Sequence, residues 1–357
     1  MNFRRRRRLG ASPPNRSPAS LLALILGLST LALLAFPAWA PAIRDPTTGF
    51  RLTGTQVANL ASDRAPLTIA PVDDVVDAST GRRLYSRLAF ERHAIGSLTK
   101  LMTALLTVQT LSLNRVVTVS GKAASTPGST MYLVQGDRLT VRTLLYGLLI
   151  PSGNDAAEEL AETMAGDDRG FARIANRQAR VYHLRCSHFV TPHGLDARGQ
   201  YSCAADVATL TRLVLRVPLL AKIVRTKEIV VSGVVKGEIF PLANTNLLLG
   251  NYPGILGVKT GTTDEAGAAL SAASRQTGHV MICVVLGSTD YGRFSDCASL
   301  LTFGSQDFVW PSAADTMWST RSLEAHVRPV AAPVPRWESA WLAVGRKGLI
   351  SVPFDSH

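Results

Sequence analysis

The residues of this chain best suited to chemistry lie between residues 94 and 107, Ala-Ile-Gly-Ser-Leu-Thr-Lys-Leu-Met-Thr-Ala-Leu-Leu-Thr. Apolar side chains recur there at helical spacing and no glycine or proline follows Gly96, so the pattern predicts a buried helix that begins near Ser97. Residues three apart share a helix face, which would bring the Ser97 hydroxyl and the Lys100 amine together at the helix start. Unpaired N–H groups at that end favour a developing negative charge, and burial disfavours a charged lysine. The pair is therefore suited to nucleophilic catalysis.

A Ser-x-x-Lys tetrapeptide also occurs by chance, so further groups must support the interpretation. One is Ser152-Gly153-Asn154, which lies between a predicted helix at residues 141–149 and a second helix that a capping-box pattern opens at Asp155. A serine on this loop could relay a proton between the lysine, the nucleophile and a leaving amine, and an asparagine amide could bind a peptide bond. Both residue types are also common in turns that have no catalytic role.

A third group, Lys259-Thr260-Gly261-Thr262, follows a strand-like run. A lysine there presents a positive charge to a substrate carboxylate, a threonine adds a hydroxyl donor, and the glycine lets a backbone N–H approach a reacting carbonyl closely. The same residues are compatible with an ordinary turn at a strand end. The order of the three motifs favours the catalytic interpretation, because Ser-x-x-Lys, Ser-x-Asn and Lys-Thr-Gly follow one another in penicillin-interacting serine enzymes.

Around these motifs the chain resembles the D-alanyl-D-alanine carboxypeptidases, the low-molecular-mass penicillin-binding proteins. The likeness runs from about residue 72 to residue 303. It is carried by the segments Ser-Leu-Thr-Lys-Leu-Met-Thr-Ala, Gly-Asp-Arg-Leu-Thr-Val-Arg-Thr-Leu-Leu-Tyr-Gly-Leu-Leu, Pro-Ser-Gly-Asn-Asp-Ala-Ala, Pro-His-Gly-Leu-Asp and Gly-Val-Lys-Thr-Gly-Thr-Thr. Two departures, Gly96 in place of the more usual alanine and Asp73-Asp74 in the first strand, remove no catalytic group.

The resemblance implies an α/β (α+β) fold of the DD-peptidase/β-lactamase-like class. In that fold an antiparallel sheet is flanked by helices and joined to a helical subdomain that carries the Ser152 loop. It also implies removal of the terminal D-alanine from peptidoglycan pentapeptides, with no metal or organic cofactor. β-Lactams would act as covalent inhibitors, and peptidoglycan stem peptides would be the partners.

The implied mechanism is acyl transfer. Ser97 would attack the carbonyl between the last two D-alanines with Lys100 as proton acceptor, and Ser152 would pass the proton to the departing D-alanine. The backbone N–H groups of Ser97 and Thr262 would hold the oxyanion. Lys259 and Thr262 would bind the substrate carboxylate. The peptide on the acyl side would lie against Asn154.

Three other functions remain open from the sequence. A D,D-endopeptidase that cleaves cross-links would use the same groups. A class A β-lactamase needs a glutamate-held water for fast deacylation, and the glutamates at 158, 159 and 162 have the pattern of a solvated helix face. A catalytically silent scaffold that binds the envelope is disfavoured by the intact motifs. His193 could act as the base of a triad, but a structural role is expected because Lys100 already supplies a base.

The elements that must position these groups follow from hydrophobic periodicity and turn residues. Strands are predicted at residues 72–76, 84–85, 116–119, 229–231, 234–235, 255–258, 268–273 and 280–286. Helices are predicted after Ser97, at 141–149, at 156–165, over parts of 167–227 and at 291–303. The strands at 268–273 and 280–286 are expected to pair across a tight turn.

The four cysteines fit an oxidising compartment and allow three full pairings. None of them has the Cys-x-x-Cys spacing of a zinc site. Pairing of neighbours along the chain, Cys186 with Cys203 and Cys283 with Cys297, is the expectation, and buried free thiols are the alternative.

The first 42 residues have the pattern of a targeting segment, with Arg4 to Arg8 followed by an uncharged apolar run. The run is intermediate in length between a signal-peptide core and a spanning helix, so residues 1–42 are predicted to be a signal peptide or an N-terminal membrane anchor. Either would place the body in the periplasm or cell wall. A lead-in linker at 43–70, a serine DD-peptidase domain at 71–304 and a tail of unknown role at 305–357 would follow.

The charge distribution favours the cell envelope over nucleic acid. Half of the formal net charge of +12 comes from six arginines before residue 43. The rest is a mild basic excess, which suits surroundings of anionic polymers and lipids and lacks the basic stripe of a nucleic-acid binder.

Overall fold

A five-stranded antiparallel sheet runs through the part of the chain that the computed structural model describes, residues 65–276 and 278–306. Its strand order is β2-β1-β9-β8-β7. The strands are β1 Val72–Asp77, β2 Arg83–Arg87, β7 Ile255–Thr263, β8 Gly267–Gln276 and β9 His279–Ser288. The predicted targeting segment and most of the predicted lead-in and tail lie outside the described residues.

Two small two-stranded sheets and eight helices complete the described residues. The small sheets pair β3 Val116–Thr118 with β4 Arg138–Thr140 and β5 Glu228–Ser232 with β6 Ile239–Ala243. The helices are α1 Lys100–Thr110, α2 Gly121–Ala124, α3 Val141–Leu149, α4 Asn154–Ala165, α5 Asp168–Val181, α6 Ala204–Arg216, α7 Pro218–Arg225 and α8 Gly292–Gln306. Among them no helix has the length and apolar character needed to cross a membrane.

Helices cover both faces of the main sheet. In β9, Cys283 and Val285 belong to the apolar cluster beneath α8, whereas Ile282 and Val284 belong to the larger cluster that includes α1 and α6. Successive side chains of a strand point to opposite faces, so a strand buried on both sides reads as one continuous apolar run. Helices, sheet and helices thus form three layers. Strand β7, the last in the strand order, lies at one edge of the sheet.

Helix α1 is the element on which the layers converge. Its residues from Lys100 to Thr107 are all buried, and it contacts helices α3 to α5 as well as α6, which packs on the main sheet. A single turn of 3-10 helix, Gly96–Thr99, precedes α1 and lies against β7. The predicted buried helix is confirmed, with Ser97 on the turn that leads into it.

Two local predictions were wrong. The second strand of the β5–β6 hairpin is β6, and Val234 and Val235 lie in the exposed turn before it, because Gly237 bends the chain at a φ of +99°. Helix α4 has no side-chain cap, since its N-cap is Gly153. The Asp155 carboxylate instead accepts hydrogen bonds from loop 130–133, including the backbone N–H groups at 131 and 133.

Candidate active site

The predicted nucleophile lies where the 3-10 turn meets the edge strand β7. Glycines permit this close approach: a Cβ added at Gly96, whose φ is +51°, would lie 3.1 Å from the backbone nitrogen of Thr262. One added at Gly261 would lie 2.7 Å from the Ile95 carbonyl oxygen and 3.2 Å from the Ser97 nitrogen. The backbone nitrogens of Ser97 and Thr262 thus both lie where the two segments meet. Their role as the donors of an oxyanion hole stays a prediction.

Lys100 is fully buried beside the serine, and its Nζ lies 2.8 Å from Ser97 Oγ. The same nitrogen donates to Asn154 Oδ1 at 2.6 Å and to the His193 carbonyl oxygen at 2.9 Å. Burial, assisted by the charge of Lys259, lowers the pKa of Lys100 well below its ordinary value. A neutral lysine has two N–H donors, which these two oxygens accept, so its lone pair is left to face the serine hydroxyl.

Asn154 is the first residue of α4, and both the oxygen and the nitrogen of its side-chain amide form hydrogen bonds. Its Oδ1 accepts from Lys100, and its Nδ2 donates to the Pro127 carbonyl oxygen at 2.6 Å. The structure therefore gives Asn154 an orienting contact with Lys100 that the sequence did not predict. The predicted binding of a substrate peptide by this residue stays a prediction.

Ser152 is buried in the short turn between α3 and α4, with a φ of +68°. A serine rarely adopts this conformation, and the backbone bonds from Gly153 N to Gly147 O and from Asn154 N to Ser129 O hold it there. Within the described residues no hydrogen bond joins its hydroxyl to Ser97 or Lys100. The structure thus places Ser152 in the loop that carries Asn154 and leaves its relay role a prediction.

The predicted carboxylate-binding segment runs along β7. Lys259 is only 1% exposed and donates to the Thr260 carbonyl oxygen at 2.9 Å, and burial together with Arg293 lowers its pKa to about 7. The Thr260 hydroxyl is bonded to Thr245. Thr262 is exposed, and its hydroxyl donates to the Gly261 carbonyl oxygen at 2.8 Å, whereas Lys259 lies beneath the surface.

Arg293, in the first turn of α8, is a residue that the sequence did not single out. Its Nη1 donates to the Thr262 hydroxyl at 2.6 Å and to the Gly261 carbonyl oxygen at 3.1 Å. This guanidinium adds a planar cation beside Thr262, a geometry suited to a carboxylate. A basic residue at a helix N-terminus opposes the helix dipole, and that anomaly is the one sequence signal that could have drawn attention to it.

The glutamates after the Ser-Gly-Asn motif do not form a solvated face, so that prediction was wrong for Glu158 and Glu159. Their exposed fractions are 1% and 4%. Glu158 forms an ion pair with Lys122 of α2, and burial raises its pKa to about 7. Helix α2 covers this side of α4, a contact that no periodicity within α4 reveals.

His193 has the structural role expected of it. Its Nδ1 accepts a hydrogen bond from the Leu195 backbone nitrogen at 3.1 Å and so stabilises the turn.

The cysteine prediction was right for one pair and wrong for the other. A disulfide joins Cys186 and Cys203, whose Cα atoms are 5.7 Å apart, and it closes the loop that contains His193. Cys283 and Cys297 are buried free thiols. The Cys297 thiol is directed at the carbonyl oxygens of Leu270 and Cys283.

Comparison with solved structures places this fold in the class of penicillin-interacting DD-peptidases. The Streptomyces K15 DD-transpeptidase matches with a TM-score of 0.64 and 32% identity, over 67% of this chain and 98% of that one. The D-alanyl-D-alanine carboxypeptidase DacD from Francisella tularensis matches with a TM-score of 0.64 and 29% identity, over 73% of this chain and 76% of that one. The predicted antiparallel sheet with flanking helices and its fold class are confirmed.

Sequence comparison then defines the family. The family model of the D-alanyl-D-alanine carboxypeptidases, peptidase S11, matches residues 65–290. Among the relatives, DacF of Bacillus subtilis strain 168 is 35% identical over 240 residues, 66% of this chain and 61% of the relative. The D-alanyl-D-alanine carboxypeptidase of Streptomyces sp. strain K15 is 34% identical over 277 residues, 72% of this chain and 95% of the relative. The match thus spans about three fifths of the Bacillus relative's length. The chain belongs to the D-alanyl-D-alanine carboxypeptidase family.

Proposed function

We propose that this protein is an exported serine D-alanyl-D-alanine carboxypeptidase that removes the terminal D-alanine of peptidoglycan pentapeptides through an acyl-enzyme on Ser97. The observation that carries the proposal is the environment of Lys100. A buried amine lies 2.8 Å from a serine hydroxyl. Two oxygen acceptors occupy its remaining donors, which makes it a base aimed at one nucleophile. Family membership supplies the substrate class.

Acylation begins when the Ser97 oxygen attacks the carbonyl carbon between the last two D-alanines and its proton passes to Lys100. The carbonyl electron pair moves to the oxygen, which the N–H groups of Ser97 and Thr262 stabilise. Collapse of this intermediate breaks the peptide C–N bond. Ser152 carries the proton from Lys100 to the departing amine, which leaves as free D-alanine.

The substrate's terminal carboxylate sets the direction of binding. The exposed Thr262 hydroxyl and the Arg293 guanidinium bind it, and Lys259 strengthens the positive potential from beneath. Asn154 lies on the acyl side of the scissile bond. Thr260 and Gly261 shape the strand, since only a glycine at 261 lets β7 approach the nucleophile turn. A penicillin carries an equivalent carboxylate and would acylate the same serine.

Deacylation reverses the proton path. Water attacks the ester carbon and gives its proton to Lys100, the ester C–O bond breaks, and Ser97 recovers a proton. This path needs no group beyond those already named. It differs from the β-lactamase alternative, in which a glutamate-held water speeds this step.

The proposed setting is the periplasm or cell wall, reached through residues 1–42 as a signal peptide or membrane anchor. Residues 71–304 form the proposed peptidase domain, preceded by a lead-in at 43–70 and followed by a tail at 305–357. The apolar run after an arginine cluster supports export. The proposed role there is peptidoglycan maturation.

A transpeptidase is the second candidate, and one observation favours it. The Streptomyces K15 relative is named a carboxypeptidase in one comparison and a DD-transpeptidase in the other. The two activities share the acyl-enzyme and differ in the acceptor, which is water in one and an amine in the other. A D,D-endopeptidase would use the same site on a cross-linked dimer.

One experiment separates these functions. The purified protein is incubated with pentapeptide, with pentapeptide plus a primary amine acceptor, and with cross-linked muropeptides, and the products are resolved by mass. Release of D-alanine from pentapeptide alone supports the carboxypeptidase, an amide adduct supports the transpeptidase, and cleaved dimer supports the endopeptidase. If the wild-type chain releases no D-alanine and forms no acyl-enzyme, the proposal is wrong.

A further inference from the structure

A buried carboxylate that the proposed mechanism does not use lies behind the general base. One Glu158 oxygen is bound by Lys122, and the other lies 3.7 Å from His193 Nε2. The Lys122 Nζ also reaches Asp168 Oδ1 at 3.1 Å. Glu158 therefore links helices α2, α4 and α5 to the turn that contains His193. A charge is retained at so buried a position only when it has partners of this kind.

The His193 turn in turn holds Lys100 through its backbone. The Pro192 carbonyl oxygen accepts from Thr103 Oγ1 at 2.6 Å, and the His193 carbonyl oxygen accepts from Lys100 Nζ at 2.9 Å. The imidazole is buried, and its Nδ1 accepts a backbone N–H from Leu195. A neutral ring that accepts at Nδ1 carries its proton on Nε2, the atom that faces Glu158.

We propose that Glu158 is a positioning residue for the general base: its carboxylate lies 3.7 Å from His193 Nε2, attracts the N–H there as a charge attracts a dipole, and so restrains the His193 carbonyl that orients Lys100 toward Ser97. This inference rests on the proposed function, in which Lys100 is the base. When Glu158 is neutral, the imidazole loses its anionic partner. The carbonyl then loses its fixed position, and the Lys100 lone pair points at the serine less of the time.

The charged and titratable groups facing Glu158 are Lys122 of α2, Asp168 of α5 and His193. Burial raises the pKa of Glu158 to about 7, Lys122 opposes that rise and Asp168 adds to it. His193 stays neutral across this range, because burial and Lys100 lower its pKa to about 4. Glu158 thus becomes ionised as the pH rises through neutrality, and the orienting contact strengthens over the same interval.

The test compares Glu158→Gln with wild type in the rate of Ser97 acylation by a fluorescent penicillin between pH 5.5 and 8.5. Glutamine mimics the neutral carboxyl at every pH, so the wild-type to variant rate ratio should be near one at the acid end. It should rise to roughly tenfold or more above neutrality. The titration of Lys100 affects both proteins and cancels in the ratio.

Glu159→Gln is the matched control. Glu159 is the next residue of α4, is equally buried, and binds the Ser120 N–H at 2.8 Å instead of His193. Its rate ratio should stay near one at all pH values. A Glu158→Gln ratio that is flat with pH, or that equals the Glu159→Gln ratio, overturns the inference.

A double-mutant cycle with His193→Gln tests the route. If Glu158 acts through His193, then Glu158→Gln should lower the acylation rate no further in the His193→Gln background. Additive losses of rate would show that Glu158 does not act through His193. Should Glu158→Gln fail to fold, Lys122→Met replaces it, since the Lys122 side chain is 50% exposed. Loss of that ammonium should raise the pKa of Glu158, so the rise in acylation rate should occur at a higher pH. A rise at the wild-type pH counts against the inference. Absence of labelling in the wild type would instead refute the proposed function.

Discussion

Two buried lysines lie within the candidate site, and their surroundings suggest different tasks. Lys100 bonds to Asn154 and to the His193 carbonyl and contacts Ser97. Lys259 lies beneath the β7 edge near Arg293. The first arrangement orients a base, and the second supplies positive potential where a carboxylate would bind. Substitution of each lysine should therefore impair acylation in a different way.

The expected difference concerns substrates with and without a carboxylate. Lys259→Ala should slow acylation by a penicillin or peptide and recover part of its activity with a small thioester that lacks the carboxylate, because that donor never used the lost contact. Lys100→Ala should recover no activity with the thioester, since the serine lacks its base with either acyl donor. Acylation rates of both variants with both donors check this. Equal losses of Lys259→Ala on the two donors would mean that Lys259 acts in proton transfer or site architecture.

At the scale of elements, the disulfide-closed loop from Cys186 to Cys203 is what connects the helical side of the fold to the nucleophile turn. Gly194 of this loop has a φ of +91°, and a Cβ added there would lie 2.0 Å from the Gly96 carbonyl oxygen. The obstacle is backbone, so it cannot rotate away. Any side chain at 194 must push the loop off the turn and carry the His193 carbonyl away from Lys100.

Gly194→Ala should therefore lower the rate of Ser97 acylation by at least tenfold. Gly199→Ala is the control: Gly199 lies in the same loop with a φ of +86°, and its added Cβ would meet nothing nearer than His188 Nδ1 at 3.9 Å. Both variants carry backbone strain of about 1 kcal/mol, so their melting temperatures should both fall. Only Gly194→Ala should lose acylation, and wild-type labelling by Gly194→Ala would contradict this account of the loop.

Local pattern was enough to predict several elements. The apolar face of α3, the β8–β9 hairpin and the Ser97–Lys100 contact all depend on residues near in sequence. The errors involve contacts across the chain. Glu158 was placed in solvent because the cover provided by α2 cannot be inferred from α4, and Asp155 was given a capping role because its real partners lie in loop 130–133.

The site predicted from the sequence lacked some residues for the same reason. Arg293 reaches Thr262 because α8 packs on β8 and β9 and its first turn lies at the end of β7. Cys283 and Cys297 lie near each other, and both are buried free thiols, the alternative that the sequence had left open. Motif order therefore predicted that the segments of Ser97, Asn154 and Thr262 come together, whereas tertiary packing decided the supporting contacts.

For the whole molecule, buried carboxyls couple stability to pH. Asp74 in β1 is fully buried, and burial raises its pKa to about 6 against the pull of Arg83, compared with 3.8 for an unperturbed carboxyl. The folded state thus holds this proton more tightly than the unfolded state. The resulting stabilisation is present below pH 4 and is lost as the pH rises through about 6.

Asp74→Asn removes this titration. The free energy of unfolding of wild type relative to the variant should fall by on the order of 2 kcal/mol between pH 4 and pH 7. Urea unfolding of both proteins at several pH values measures the difference. A difference that stays constant would show that Arg83 balances burial at Asp74, and one that grows with pH would show that Arg83 outweighs it.

The proposed export is a second prediction at the scale of the whole chain. A reporter that is active only outside the cytoplasm should be active when fused after the peptidase domain, because the arginine cluster and apolar run of residues 1–42 predict a targeting segment. Deletion of those residues should keep the fusion inside. Reporter activity that survives the deletion would refute the targeting interpretation.

The central claim is that Ser97 is the nucleophile of a D-alanyl-D-alanine carboxypeptidase, and intact-mass analysis with labelled penicillin tests it most directly. The wild type should gain one penicillin mass, mapped to the peptide that contains Ser97, and should release D-alanine from pentapeptide. Ser97→Ala should do neither while keeping the wild-type melting temperature within a few degrees, since loss of one half-buried hydroxyl costs little folding free energy. Labelling that persists in folded Ser97→Ala, or that maps to another residue, would contradict the account.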